Sequence, residues 1–200
     1  MGSTDNRNRA KWQDYSGMNA GVAEQNFFKV FTESFINTNY KIREKPNEFN
    51  SIYVNVSLTE TTKEQIYTPD VAITKHGISP DYAIDNLLTN KTLYIEVKRQ
   101  DGWVEGKPRA AGRGNAHERS CKYFTPGLLK ILRNKGKITD ENALPFWTVF
   151  QGDITRDPCR VREITLWFDD YTNHYFFWRK NNDPLPLLEH FNNNLKHLLD

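Results

Sequence analysis

Three side chains with the chemistry of a phosphodiester-cleaving site stand close together in the sequence. Asp81 follows Pro80, and Glu96 and Lys98 are separated by a single residue. They lie in stretches where apolar and polar residues alternate, a pattern that is typical of β-strands. Two carboxylates can hold a divalent cation, and an ammonium can stabilise negative charge on a reacting phosphate. The chemistry therefore depends on whether folding brings the three side chains together.

The segment 81–98 is predicted to form a β-hairpin with a two-residue turn at 89–90. In that register Asp81 lies opposite Lys98, and Glu96 stands in the next pair on the same face, because side chains alternate between the two faces along a strand. Directly opposed residues lie about 5 Å apart, and diagonal ones about 7–8 Å apart. The three side chains are therefore expected to converge on one face of the hairpin.

Carboxylates clustered in this way predict a cation site. They repel one another, and Mg²⁺, which prefers oxygen ligands, offsets the repulsion. The backbone carbonyl of Val97 is a further candidate ligand, while the side chains of Val97 and Ile95 point the other way, into a core. Such a metal activates water, and Lys98 then orients that water or stabilises charge. The alternative is an ion pair between Asp81 and Lys98 with Glu96 solvated beside it, worth about 0–1 kcal/mol.

The stretch after the hairpin is strongly basic. Residues 97–137 hold six Lys and five Arg against three acidic residues, a net charge of +8 in a chain whose total is +2. This excess predicts a partner with dense negative charge. Within it, Arg113, Asn115 and Arg119 carry the groups that clasp the edges of guanine and adenine, and Gly114 lets backbone approach closely. Double-stranded DNA is therefore the expected partner of this basic segment. The alternative is that the segment is a solvated surface loop that binds no partner.

Two motifs resemble those of known nucleases. The "PD" of 80–81 with the "EVK" of 96–98 resembles the PD-(D/E)xK nuclease signature. The segment "GNAHERSCK" at 114–122 resembles the recognition segment of the EcoRI-like type II restriction endonucleases. The similarity extends to "EVKRQDGWVEGK" and "GDITRDPCRVREIT" and is greatest for the members of that family that cut 5′-C^AATTG-3′.

The resemblance implies a homodimeric, Mg²⁺-dependent type II enzyme that cuts palindromic double-stranded DNA and leaves 5′-AATT ends. It implies that Asp81, Glu96 and Lys98 are catalytic and that Asp81, Glu96 and Val97 hold the metal. The inner AATT would be read by Asn115, Glu118 and Arg119. Arg113 stands before the segment shared with the family, so its assignment does not come from the resemblance; it is the candidate for the outer C·G pair because arginine can clasp guanine. The full set of residues expected to contact DNA is Arg113, Gly114, Asn115, His117, Glu118 and Arg119.

Two other functions are compatible with these residues. One is a structure-specific repair or recombination nuclease of the same fold, against which Arg113 and Asn115 argue because they look like base readers. The other is a DNA-binding regulator without activity, in which Asp81, Glu96 and Lys98 would be incidental. Sequencing the ends of DNA incubated with the protein and Mg²⁺ separates the three functions.

The rest of the sequence predicts the elements that must hold these residues. Periodicity and capping signals predict helices at 21–39, 115–124, 126–136 and 184–200, and strands at 40–46, 51–58, 144–154, 163–168 and 175–179 around the hairpin. This order predicts an α/β (α+β) fold with a mixed sheet. The family resemblance narrows it to one restriction-endonuclease-like domain over residues 1–200, with a central five-stranded mixed β-sheet flanked by helices.

Bulk properties exclude several classes of protein. No apolar run approaches the roughly 20 residues of a membrane span, and the N-terminus lacks the apolar core of a signal peptide. The two cysteines, Cys121 and Cys159, have no metal-ligand spacing and are expected to be free thiols. We therefore expect a soluble intracellular protein with no membrane partner, and the family resemblance implies that the compartment is the cytoplasm of a prokaryote.

Overall fold

A computed structural model describes residues 24–54, 56–67, 77–102, 104–105 and 117–200 of the chain. Arg113, Gly114 and Asn115 lie outside these ranges. The helices and strands within them, in chain order, are α1 (24–34), β1 (Tyr40–Glu44), α2 (Glu60–Gln65), β2 (Tyr82–Asn86), β3 (Lys91–Arg99), α3 (Pro126–Gly136), β4 (Phe146–Gln151), α4 (Pro158–Phe168), β5 (Tyr175–Phe177) and α5 (Leu185–Asn194).

The strands form one mixed sheet in the order β1-β2-β3-β4-β5. The first three are antiparallel neighbours, whereas β4 runs parallel to β3 and β5 runs parallel to β4. The prediction of a five-stranded mixed sheet is confirmed. Because β3 and β4 lie inside the sheet and are covered on both faces, residues 92–97 of β3 and all of β4 are buried, including the polar ones.

One face of the sheet is covered by α1 and α5. Phe31 of α1 packs edge-on against Phe191 of α5, with ring centroids 5.4 Å apart. Both belong to the core that contains Ile95 and Val97 of β3, so the prediction that these two side chains face a core is confirmed. Glu96 and Lys98 of β3 point away from this face, because they alternate with Ile95 and Val97 along the strand.

The opposite face is covered by α3, α4 and a short 3₁₀ helix at Glu118–Phe124. Leu132 of α3 and Phe168 of α4 pack there against Tyr94 and Phe146 of the sheet. This second core surrounds the polar residues of β3, which therefore lie between strands and helices rather than on an open surface.

The strand predicted at 163–168 is wrong, because these residues form the second half of α4. The helix begins at Pro158, a residue whose fixed φ suits the first helical turn. The Asp157 carboxylate caps it by accepting two backbone N–H groups at 2.9 and 3.2 Å. Ile164 and Phe168, four residues apart, are the side chains that α4 buries.

The strand predicted at 51–58 is also wrong for the described residues. Residues 51–54 form turns, and 56–59 have no regular structure. Val54, Val56 and Leu58 are all exposed, so their alternating pattern has no sheet edge to pair with. No helix in the described ranges is both long and apolar enough to cross a membrane.

The other predicted elements are present with shifted ends. The helix predicted at 126–136 coincides with α3, and the predicted N-terminal helix is described over 24–34. The C-terminal helix ends at Asn194 and is followed by a 3₁₀ turn at Lys196–Leu198. In this helix Leu187 is fully buried, and Leu188 is partly buried against the same core.

The end of α3 gives a test of how closely helix and sheet pack. A Cβ on Gly136 would lie 2.3 Å from the carbonyl oxygen of Thr92 in β3, whereas a Cβ on Gly127 in the first turn of α3 would meet nothing within 4 Å. We expect Gly136→Ala to destabilise the protein by about 1–3 kcal/mol, because the helix must move away from the sheet. Gly127→Ala should be neutral or stabilising by about 0.4–1 kcal/mol. Urea denaturation of both variants checks this, and equal effects would contradict the packing described.

Candidate active site

The predicted hairpin forms, but its turn is longer than expected. Strands β2 and β3 are joined by the four residues 87–90, and Ala83 pairs with Tyr94 rather than with Glu96. Asn86 nucleates this turn: its side-chain oxygen accepts from Leu88 N at 2.9 Å, and its carbonyl accepts from the N–H of residue 90 at 2.9 Å. A register shift of two residues leaves every side chain on its predicted face, so the functional residues stay together.

The ammonium of Lys98 lies at the centre of the site. Its Nζ is 2.6 Å from Glu96 Oε1, 3.3 Å from Asp81 Oδ2 and 3.3 Å from the carbonyl oxygen of Val97. The predicted convergence of the three side chains is therefore confirmed. The Glu96 side chain is only 4% exposed, so it is not the solvated neighbour of a surface ion pair, and that alternative is wrong.

The backbone fixes the position of Asp81 at the entrance to β2. Its Oδ2 accepts a hydrogen bond from Val97 N at 2.8 Å, and its carbonyl oxygen accepts from Lys45 N at 2.9 Å. The first bond joins the carboxylate to the strand that carries Glu96 and Lys98. The preceding Pro80 is buried and restricts the chain at this entrance. The carboxylate is therefore held by main-chain geometry as well as by its charged neighbours.

The electrostatics of the site favour binding of a cation. Burial raises the pKa of Asp81 to about 6, and repulsion from Glu96 adds to the rise, while Lys98 and the Val97 N–H oppose it. Glu24 of α1 contributes a further small repulsion. Burial lowers the pKa of Lys98, but attraction by Glu96 and Asp81 outweighs it, so the pKa lies above its usual value and the ammonium stays charged.

The oxygens that meet here fit a hard divalent cation. The three predicted ligands, namely the carboxylates of Asp81 and Glu96 and the Val97 carbonyl, already surround one positively charged atom, Lys98 Nζ. In the described part of the chain, no cluster of three or more His, Cys, Asp or Glu side chains is suited to a metal. A cation at this position would therefore complete its coordination with water or with a phosphate oxygen, as Mg²⁺ usually does.

Two residues of this site were missed from the sequence. The Tyr123 hydroxyl donates a 2.9 Å hydrogen bond to Glu96 Oε2, and Lys122 Nζ lies 3.7 Å from Glu96 Oε1. Burial, followed by the charge of Glu96, raises the pKa of Tyr123, so its hydroxyl remains a donor. Lys122 is the last residue of the segment 114–122 and Tyr123 follows it, but nothing in the local pattern indicates that they reach Glu96.

The predicted recognition helix differs in type and start. The sequence predicts a helix over 115–124, but the described part of this range is a 3₁₀ helix at Glu118–Phe124, preceded by His117. The side chains of Glu118 and Arg119 are exposed, as base readers must be. The predicted roles of Arg113, Gly114 and Asn115 fall on residues outside the described ranges.

His117 is fully buried and faces the protein interior. Its ring stacks on Trp167 of α4, with centroids 5.3 Å apart and planes 9° apart, and its Nε2 lies 3.2 Å from Glu163 Oε2. Burial, followed by the charge of Arg160, lowers the pKa of His117. The ring anchors the 3₁₀ helix at Glu118–Phe124 to α4, and its burial leaves no surface for the predicted side-chain contact with DNA.

Comparison with known proteins gives concordant results. A family model described as "Type II restriction enzyme MunI" matches residues 1–200. The type II restriction enzyme MunI of a Mycoplasma species is 52% identical over 202 residues, which cover 100% of both chains. The crystal structure of MunI restriction endonuclease in complex with cognate DNA matches with a TM-score of 0.81 and 53% identity, covering 94% of this chain and 97% of that one.

The raised pKa of Asp81 predicts a specific pH dependence of stability without metal. The folded protein keeps the Asp81 proton up to about pH 6, whereas the unfolded chain loses it near pH 3.8. Wild-type stability therefore loses a contribution of the order of 1–3 kcal/mol as the pH rises through this window. Asp81→Asn lacks this titration, so its stability relative to wild type should increase between pH 4 and pH 6. Urea denaturation in a chelator checks this, and parallel curves would contradict it.

Proposed function

Because the chain belongs to the MunI family of type II restriction enzymes, we propose that it cuts both strands of 5′-C^AATTG-3′ in double-stranded DNA. The cofactor is Mg²⁺, and the products carry 5′-AATT ends. The observation that carries the proposal is the convergence of the Asp81, Glu96 and Val97 oxygens around Lys98. The exposed Glu118 and Arg119 on the neighbouring 3₁₀ helix support recognition of DNA beside this cluster.

The side chains divide the reaction between them. Asp81, Glu96 and the Val97 carbonyl would hold Mg²⁺, which would supply Lewis-acid chemistry for the activation of water and the polarisation of the scissile phosphate. Asp81 would bind the metal from its position at the entrance to β2, where the Val97 N–H orients its carboxylate. Lys98 remains charged because of its two carboxylate neighbours, and it stabilises the negative charge that develops on the phosphate.

The 3₁₀ helix and the segment before it read the sequence of bases. Asn115, Glu118 and Arg119 contact the inner AATT, Arg113 contacts the outer guanine, and Gly114 allows the backbone to approach the DNA. The role of His117 is to anchor this segment to α4, since its ring is stacked and buried. The positive charge of residues 97–137 attracts the phosphates and makes binding dependent on salt.

The symmetry of the site requires two chains. A palindrome cut on both strands presents two equivalent phosphates related by a two-fold axis, and an isologous homodimer places one active site at each. The active species is therefore a dimer of two 23.4 kDa chains. Both cysteines are free, which is consistent with work in the reducing cytoplasm of a prokaryote.

The decisive experiment is sequencing of the cleaved ends. Plasmid DNA incubated with the protein and Mg²⁺ should yield ends at CAATTG only, and a chelator should stop the reaction. Ends scattered at junctions would indicate a structure-specific nuclease, and uncut DNA with retained binding would indicate a regulator. Either outcome would overturn the proposed function.

Removing one metal-binding carboxylate should separate cleavage from binding. Glu96→Gln is expected to lower the cleavage rate by more than about a hundredfold. Binding of DNA should persist, because less negative charge then faces the phosphates. The matched control is Glu48→Gln, because Glu48 also accepts a hydrogen bond from a tyrosine, Tyr94, at 3.1 Å, but is paired with Arg43 outside the site. Cleavage at the wild-type rate by Glu96→Gln would remove Glu96 from the catalytic set.

The assignment of Arg113 to the outer base pair is tested by comparing two sites. Arg113→Ala should lose discrimination between CAATTG and GAATTC by about 1–3 kcal/mol, the value of one bidentate contact to guanine. Affinities for the two duplexes are measured under the same salt conditions. Weaker binding to both sites with an unchanged ratio would show that Arg113 contacts phosphate instead.

A further inference from the structure

We infer that Tyr123 is a positioning residue that couples the reading of bases to the catalytic carboxylate Glu96. Its hydroxyl holds Glu96 in one orientation, and its backbone belongs to the 3₁₀ helix that carries Glu118 and Arg119. The inference rests on the proposed function and deepens it, because it names the contact through which binding of the cognate DNA sequence affects metal binding.

The contact with Glu96 is buried and specific. The Tyr123 hydroxyl donates to Glu96 Oε2 at 2.9 Å, while Lys98 contacts the other oxygen, Oε1, at 2.6 Å. Tyr123 is 2% exposed and Glu96 is 3% exposed, so water does not compete for this hydrogen bond. With one donor on each oxygen, the plane of the carboxylate is fixed. Hydrogen bonds of this kind orient metal ligands and tune their affinity for the metal.

The 3₁₀ helix is attached to neighbouring elements at both ends. A displacement of its backbone is therefore passed on to the groups that it contacts. At its start, His117 stacks on Trp167, and the His117 carbonyl accepts a 2.6 Å hydrogen bond from the Ser120 hydroxyl. At its end, Phe124 packs edge-on against Phe146 and Phe168, with ring centroids 5.2 and 4.9 Å apart.

The exposed residues lie between these two anchors. Because Glu118 and Arg119 project to solvent and Tyr123 contacts Glu96 from the same short helix, a displacement caused by base contacts reaches the Glu96 carboxylate through the hydrogen bond of Tyr123. A cognate site therefore holds Glu96 in its metal-binding orientation, and an altered site does so less well. The consequence is discrimination in the cleavage step, beyond that in DNA binding.

Tyr123→Phe removes only the hydroxyl and leaves the packing of the ring against Phe146, whose centroid is 5.5 Å away. We expect the affinity of the protein for Mg²⁺, measured by titration calorimetry without DNA, to fall about 10-fold to 100-fold. Single-turnover cleavage of CAATTG should need correspondingly more Mg²⁺. The ratio of cleavage rates for CAATTG and for a site with one altered base pair should decrease. The affinity of Tyr123→Phe for DNA, measured in the presence of a chelator, should stay within about twofold of the wild-type affinity. Its unfolding midpoint in urea should also stay within about twofold of the wild-type midpoint.

Tyr94→Phe is the matched control. It removes a hydroxyl that donates to the Glu48 carboxylate at 3.1 Å from the same apolar cluster, but away from the site. This variant should match wild type in Mg²⁺ affinity and in discrimination. Wild-type Mg²⁺ affinity in Tyr123→Phe would overturn the positioning role, and an unchanged ratio of cleavage rates would overturn the coupling. Failure of the wild-type protein to cut any site would instead overturn the proposed function.

Discussion

The structure depends on one cluster of buried charge, in which Lys98 is shared by Glu96 and Asp81. Burying two carboxylates and one ammonium costs free energy, and their mutual attraction offsets this cost only if the geometry is held closely. The raised pKa of Asp81 shows that the balance is incomplete before a metal binds. Coordination of a divalent cation by Asp81 and Glu96 would remove the repulsion between the two carboxylates. The fold therefore holds the site in a state that a bound metal and phosphate would stabilise.

The mixed sheet is what makes this geometry possible. On one face of β3, Ile95 and Val97 join the core beneath α1 and α5. On the other face, Glu96 and Lys98 meet Asp81 and the 3₁₀ helix. Because a strand alternates its side chains between two faces, a single nine-residue strand supplies both a structural anchor and the proposed catalytic groups. The rigidity of the site is therefore inherited from the core behind it.

Recognition and catalysis are joined over a short distance. The 3₁₀ helix at Glu118–Phe124 is attached to α4 through His117 and to the Glu96 carboxylate through Tyr123. Both attachments are buried, whereas Glu118 and Arg119 between them are exposed. This arrangement connects the proposed base-reading side chains to the proposed catalytic carboxylate through one continuous set of contacts among the described residues.

The sequence by itself determined the residue types of the site and the face on which they meet. Alternation places Asp81, Glu96 and Lys98 together in any register that differs by two residues, so the wrong turn length at 87–90 did not affect that prediction. Local signals also located α3, β4 and β5. They failed at 163–168, where aromatic and β-branched composition suggested a strand, although Asp157 and Pro158 specify a helix. Only the tertiary structure decided that Tyr123 holds Glu96 and that His117 stacks in the interior. The Tyr123–Glu96 contact joins residues 27 positions apart, and the contact of His117 with Glu163 in the same interior joins residues 46 positions apart. Packing between elements at such separations leaves no periodic signal in the chain.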